Sequence, residues 1–314
     1  MPHLPLPGVR TELVVKNIRA RARNGATDDR KIALIVEGGA MRGVFSSGAN
    51  IGIESLGLLH AFDEVYGCSA GAINAAYLLA GQAAFGTRIY FEDINNTRFI
   101  NLWRGPNRVI DLDYLFHDVI ARRKRLDLAK IDAQSCCLLV SLTDAVTGRG
   151  ILVDYRPGKY PLLDVIRASA THPLLSERWM RIGEGKYFDG GFADSLPVQA
   201  AIDRGCTDIL ALLTRPPDYV DPPPNLFLRE LFRWRCAWGK PELVAAGREI
   251  HTRENRSRDL IFGRAALPAN VNIAAICPTL DDGLGLLVKD EAVLRAAAQS
   301  AKRNVVEAFF DGNS

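Results

Sequence analysis

Short apolar runs recur along this chain, closed by glycine, proline or polar clusters, and between them apolar residues repeat at helical spacing. Ile32 to Val36 is uninterrupted and stops at glycines, as a strand buried on both faces does. Val65-Tyr66, Cys137 to Leu142, Ile151 to Asp154, Ile209 to Leu213 and Val271 to Ile276 read as further strands. Helical patterns fall between them, over Val44 to Leu58, Ala70 to Ala80, Leu162 to Ala170, Pro197 to Arg204 and Glu291 to Phe310. This alternation predicts an α/β fold around a mostly parallel central sheet.

The same pattern divides the chain. Residues 1–30 are polar and basic, with Arg10, Lys16, Arg19, Arg21 and Arg23. They read as an N-terminal extension before the fold, either a solvated arm or a weak anchor for anionic headgroups. Residues 31–214 carry the central elements. Pro216-Pro217 and Pro222-Pro223-Pro224 then bracket an extended loop, because proline excludes helix continuation and restricts the residue before it. Residues 215–270 read as a lid or cap excursion over the sheet. Residues 271–314 read as a final strand and C-terminal helix that complete the same domain.

Composition narrows the class. With 314 residues, 48% hydrophobic and 24% charged, the chain can bury a sizeable core without metals or disulfides. A net charge of +3 argues against a dedicated nucleic-acid partner. None of the six cysteines forms a C-x-x-C pair or sits among clustered histidines, so no zinc site is expected. Cys136-Cys137 reads as two reduced, packed thiols, which fits a cytoplasmic setting. The N-terminus lacks a basic stretch followed by an apolar one, so no signal peptide is expected. Ala70 to Phe85 carries Asn74 and Gln82 and reads as a buried helix instead of a membrane span.

Candidate chemistry begins at Gly67-Cys68-Ser69-Ala70-Gly71. This Gly-x-Ser-x-Gly follows a short apolar stretch and opens a small-residue helix, the context of a nucleophile on a sharp strand-to-helix turn. A plain glycine-rich turn is the competing reading. Upstream, Gly38-Gly39-Ala40-Met41-Arg42-Gly43 follows the first strand and opens a helix, so its amides converge on an anion. A phosphate-binding Walker loop fails at Val44, where Lys is required. A dinucleotide fingerprint fails at Ala40, although Glu64 stands near the spacing of a ribose-binding acid. An oxyanion hole serving Ser69 accounts for both glycine-rich turns.

A nucleophilic serine needs a base. Of the five histidines, only His251 falls late enough for a Ser-acid-His order, and it lies in a highly charged segment. Asp189-Gly190-Gly191, after the strand-like Tyr187-Phe188, is the stronger candidate, with a common Asp-Gly turn as its bland alternative.

Taken together, these motifs resemble the bacterial members of the patatin-like phospholipase family over roughly residues 31–214. Gly38 to Gly43 matches the family's oxyanion loop, Gly67 to Gly71 its nucleophile elbow, and Asp189-Gly190-Gly191 its catalytic aspartate motif. Ala168-Ser169-Ala170-Thr171-His172-Pro173 and Asp194-Ser195-Leu196-Pro197-Val198 are similar to the family's segments around that aspartate. Ala40 departs from the pattern, since many members carry a third glycine there. The resemblance implies a three-layer patatin-like fold with helices on both sheet faces. It implies a Ser69-Asp189 dyad that cleaves lipid esters through an acyl-enzyme, with no metal or cofactor. Phospholipase A or lysophospholipase activity is the expectation. A small-ester or thioester hydrolase and a non-catalytic lipid-binding module are the alternatives. Arg42 reads as a structural residue that pairs with a carboxylate, ahead of a phosphate contact, and His172 as part of the site wall.

Phe227, Leu231, Trp234 and Trp238 fall on one helical face, with arginines mostly elsewhere. A lid helix that packs this stripe onto the core is favoured over an interfacial helix that meets a bilayer. A peripheral position at the inner membrane surface therefore stays open. Arg122-Arg123-Lys124-Arg125 reads as a solvated basic face.

Overall fold

Along β1 (Ile32–Val36) every residue is buried. Ile32, Leu34 and Val36 enter one core and Ala33 and Ile35 another, because strand side chains alternate between faces. The computed structural model describes residues 9–25, 28–105, 108–279 and 283–310. Among the described residues, β1 is joined in one sheet by β2 (Glu64–Cys68), β3 (Cys137–Asp144), β4 (Gly150–Asp154), β5 (Met180–Ile182), β6 (Gly185–Asp189), β7 (Asp208–Leu212) and β8 (Asn272–Ile276). The order is β5-β6-β3-β2-β1-β7-β8, with β4 beside β3. Strands β1, β2, β3, β7 and β8 run parallel, and β4, β5 and β6 are antiparallel additions.

The α-helices are α1 (Val9–Asn24), α2 (Gly43–Ser55), α3 (Ala70–Leu79), α4 (Ala83–Thr87), α5 (Ile89–Glu92), α6 (Leu128–Asp132), α7 (Leu162–Ala170), α8 (Val198–Asp203), α9 (Leu226–Arg235), α10 (Pro241–Arg248), α11 (Ile250–Ile261) and α12 (Glu291–Phe309). The larger core lies under α1, α2, α3, α7 and α12, and the smaller under α8 and α11. Helices thus cover both faces of a mostly parallel sheet, as the alternating pattern predicts. Helix α12 approaches α2 so closely that a Cβ at Gly48 would stand 2.3 Å from the Ala298 carbonyl oxygen.

One register detail positions the chemistry. Strand β2 pairs with β3 only as far as Cys68 opposite Ser141. Strand β4 pairs from Leu139 to Thr143, so it must occupy the other edge of β3. Strand β6 pairs at Leu142 to Asp144, which places it on the β2 edge just where β2 stops. Asp189 sits opposite Leu142, one register step beyond Cys68, and so arrives beside Ser69.

Three sequence expectations are corrected here. Residues 1–8 lie outside the described residues, but residues 9–24 form α1 and not a solvated arm. Val14, Asn17, Ile18 and Arg21 share one helical face and are buried. Asn17 donates to Asp208 at 2.8 Å, and Arg21 pairs with Asp28 and Asp63. The basic run at 122–125 is only partly solvated: Arg123 reaches Asp93 at 3.4 Å, and the nearly buried Lys124 pairs with Glu92 at 2.6 Å. It ends a π-helical stretch, Tyr114–Arg123, that buries Tyr114, Leu115, Phe116, Val119 and Ile120. Finally, the aromatic stripe does not pack inward. Phe227, Trp234 and Trp238 are 73%, 69% and 73% exposed, while Phe232, Arg235 and Cys236 carry α9 onto a small core that includes Ala145, Phe188 and Leu243.

Candidate active site

Ser69 stands between β2 and α3 with φ 55 and ψ −128, a left-handed backbone that costs a non-glycine residue energy. Its surroundings impose that turn. The Ser69 amide donates to Ser169 Oγ at 2.8 Å, and Ser169 Oγ donates in turn to the Ser141 carbonyl at 2.7 Å. Gly71 lies against the end of β1, where a Cβ would stand 2.0 Å from the Val36 carbonyl oxygen. Ser69 is half-buried and aims its hydroxyl at Asp189, donating to Oδ2 at 2.9 Å.

Asp189 is held from both sides. Its amide donates to the Thr171 carbonyl at 2.9 Å, and its carbonyl accepts from Thr143 Oγ1 at 2.8 Å. Its Oδ1 accepts the Gly191 amide at 2.8 Å. Burial raises the Asp189 pKa to about 6, against the lowering effect of the Gly191 and Ser69 hydrogen bonds. A carboxylate near that value is ionised at neutral pH yet basic enough to take a hydroxyl proton. The neighbouring Cys68 thiol is pushed well up by burial and by the charge of Asp189, so it stays protonated.

The glycine loop faces this pair. Gly38 admits the elbow: a Cβ there would stand 2.4 Å from the Cys68 carbonyl oxygen. Gly39 and Ala40 follow with φ of 120 and 50, both in the left-handed region. The amides of Gly38, Gly39 and Ala40 donate to no described residue. Those of Met41, Arg42 and Gly43 are already engaged, with Leu286 at 3.1 Å, with Gly39 at 3.0 Å, and with Ala40 and Met41 respectively. The six-residue anion loop expected from sequence therefore narrows to three open donors. Arg42 makes no ion pair with a described residue; its guanidinium lies across Gly39 and lines the cavity. Burial and the charge of Arg215 lower its pKa.

Ser69 and Asp189 open onto a cavity of about 310 Å³ whose apolar lining includes Ile73, Ile89, Ile94, Phe99, Leu112 and Leu115. This is the size and polarity of a small-ligand site. Sequence reasoning missed three polar residues here. Asn74 fastens the loop by donating to the Gly43 carbonyl at 2.8 Å. Glu254 accepts from Ser195 at 2.8 Å, and burial and Glu37 raise its pKa to about 7. Ser169 lies within a motif whose spacing signals a match but not this contact.

The remaining candidates separate cleanly. His172, half-buried, lines the cavity, and desolvation lowers its pKa to about 4, so it is neutral at pH 7. His251 lies on α11 outside the lining. Glu64 begins β2 at the opposite end of the sheet, bound by Arg204 and Lys31, which removes it from any ribose site near the glycine loop. Among the described residues no cluster of metal-binding side chains occurs, and no helix is long and apolar enough to cross a membrane.

An elbow serine hydrogen-bonded to a buried aspartate and a loop with open amides thus stand together at the mouth of one cavity. The sequence profile of the patatin-like phospholipases matches residues 34–202, more than half of the chain, and the chain belongs to that family. The uncharacterized protein YjjU of Escherichia coli (strain K12) is 28% identical over 193 residues, 59% of this chain and 52% of that protein. The chain thus spans about half the length of that curated relative. The crystal structure of VipD from Legionella pneumophila aligns with 90% of this chain and 67% of its own, at 13% identity and a TM-score of 0.48.

Proposed function

We propose that this protein is a phospholipase A or lysophospholipase in which Ser69 and Asp189 form the catalytic dyad. The observation that carries the reading is the 2.9 Å hydrogen bond from Ser69 Oγ to a buried carboxylate with a pKa near 6, at the mouth of an apolar cavity. Ser69 attacks the ester carbonyl while Asp189 accepts the hydroxyl proton. The amides of Gly38, Gly39 and Ala40 receive the oxyanion, and the N-terminus of α3 adds favourable field. Asp189 then protonates the leaving alcohol. In the second half, Asp189 takes a proton from water as its oxygen attacks the acyl carbonyl, and collapse releases the fatty acid while Ser69 Oγ recovers that proton from Asp189.

The enzyme works in the cytoplasm and visits the inner membrane surface. Leu226, Phe227, Trp234 and Trp238 are 69–73% exposed, and Arg229 and Arg233 stand among them, the composition of an interfacial segment. Hydrolysis of a panel of phospholipids and lysophospholipids, with fluorophosphonate labelling of Ser69, tests the reading. Ser69→Ala and Asp189→Ala should each abolish turnover, and His251→Ala should leave it intact. Full loss with His251→Ala and retained turnover with Asp189→Ala would sink the dyad. Absence of binding to anionic vesicles at low salt would remove the membrane contact.

A further inference from the structure

A second apolar cavity, of about 300 Å³, lies between α9, α10 and the core, and nothing in the catalytic cycle uses it. It is bounded by residues outside the first cavity, among them Leu174, Leu228, Phe232 and Val244. His172, Leu175, Phe192, Ile250 and Leu286 line both spaces, so the two cavities share one wall. That wall stands next to the dyad: Phe192 lies three residues past Asp189 and stacks on Phe232 with ring centroids 5.1 Å apart. His172 is its polar member, and it is neutral at pH 7.

Protein interiors keep few voids larger than a water molecule, because unfilled apolar space forfeits packing energy. Among the described residues, the core under α9 and α10 joins four buried residues of that segment, Phe232, Cys236, Ala237 and Leu243, to Ala145 and Phe188, and leaves space comparable to the first cavity. The lining also carries Arg229, Arg233 and Arg248 against one acid, Glu230. Positive charge beside an apolar slot suits a lipid with a phosphodiester better than a neutral one.

We propose that this second cavity receives the second acyl chain of a two-chain phospholipid while the chain being cleaved lies in the first. The assignment rests on the esterase reading above and adds the substrate class. A glycerophospholipid carries its two acyl ester groups on adjacent glycerol carbons. With one carbonyl at Ser69, the other chain leaves within reach of the shared wall and passes over it into the slot.

The test compares initial rates on dioleoylphosphatidylglycerol and on one-chain oleoyl-lysophosphatidylglycerol, both in mixed detergent micelles. Leu228→Trp and Val244→Trp fill the slot from two different helices without touching the first cavity. Each should lower the two-chain rate by about tenfold or more, since even one methylene is worth about tenfold in an apolar pocket. The one-chain rate should stay within about twofold, which also shows that the variant is folded. Unchanged ratios in both variants, equal losses on both lipids, or a wild type that cleaves only one-chain lipid would each overturn the assignment and leave the esterase reading standing. A wild type that cleaves neither lipid, with Ser69 unlabelled by fluorophosphonate, would overturn the esterase reading itself.

Discussion

The two ends of the sheet treat buried acids in opposite ways. At the N-terminal ends of the parallel strands, Glu64 and Asp208 are matched. Glu64 accepts from Arg204 at 2.6 Å and Lys31 at 2.9 Å, and Asp208 accepts from Asn17 at 2.8 Å and Arg30 at 3.3 Å. Burial alone would raise Glu64, but Arg204, Tyr66 and Lys31 bring its pKa down to about 2. At the C-terminal ends, Asp189 and Asp194 form no ion pair with a described residue, and burial lifts both to about 6. One end of the fold pairs its carboxylates with cations, and the other holds them without a countercharge among the described residues, where burial raises their pKa.

Exchanging charge for an amide at each end should break the symmetry in opposite senses. The largest effect is expected at Asp189→Asn, which removes the proposed base and should lower ester hydrolysis at least ~10³-fold. The same variant should unfold at higher temperature at pH 7. The folded pKa of Asp189 lies above its unfolded value, so its stabilising neutral form is complete below about pH 4 and lost as pH rises through about 6. The gain at neutral pH reaches about 3 kcal/mol, and wild-type activity should climb across that same pH window. A variant that keeps wild-type turnover, or loses stability at pH 7, contradicts this account.

At the other end, Glu64→Gln should leave kcat unchanged and cost about 2 kcal/mol at neutral pH. Here the folded pKa is depressed, so the contribution is present above about pH 4.3 and fades as pH falls towards 2. Denaturant melts of both proteins at pH 7 and pH 3 measure that convergence, and a parallel loss of kcat would erase the distinction between the two ends. The smallest effect is expected at Ser169→Ala. It leaves the Ser69 amide without its acceptor and should lower kcat by about tenfold while KM holds, because the elbow shifts and the cavity does not. An unchanged kcat would show that β2 and α3 fix the elbow without Ser169.

Much of this was legible in the sequence where burial is two-sided. Ile32 to Val36 can be nothing but apolar, since both faces meet a core. Ser69 and Asp189 were readable as motifs, but their meeting was not, because it depends on β6 taking over an edge that β2 vacates. That handover involves short antiparallel strands with weak patterns. Helix α1 was hidden because its buried face includes Asn17 and Arg21, which read as solvated until Asp208, Asp28 and Asp63 are seen to meet them. In α9 the periodicity is real, but periodicity names a face and not the side on which the core lies. Phe232 and Cys236 form a second stripe, one turn apart, and that stripe is the one buried.

The contact between α2 and α12 has a practical corollary. Helix α2 follows directly from the amide loop, and at Gly48 it presses against a helix some 250 positions later in the chain. The segment that matches the family profile ends at residue 202, before β7, β8 and α12. A chimera that borrowed only that segment would carry every recognised motif and still lack the helix against which α2 packs. The smallest transplantable unit is set by packing partners, and it is larger than the stretch that homology marks out.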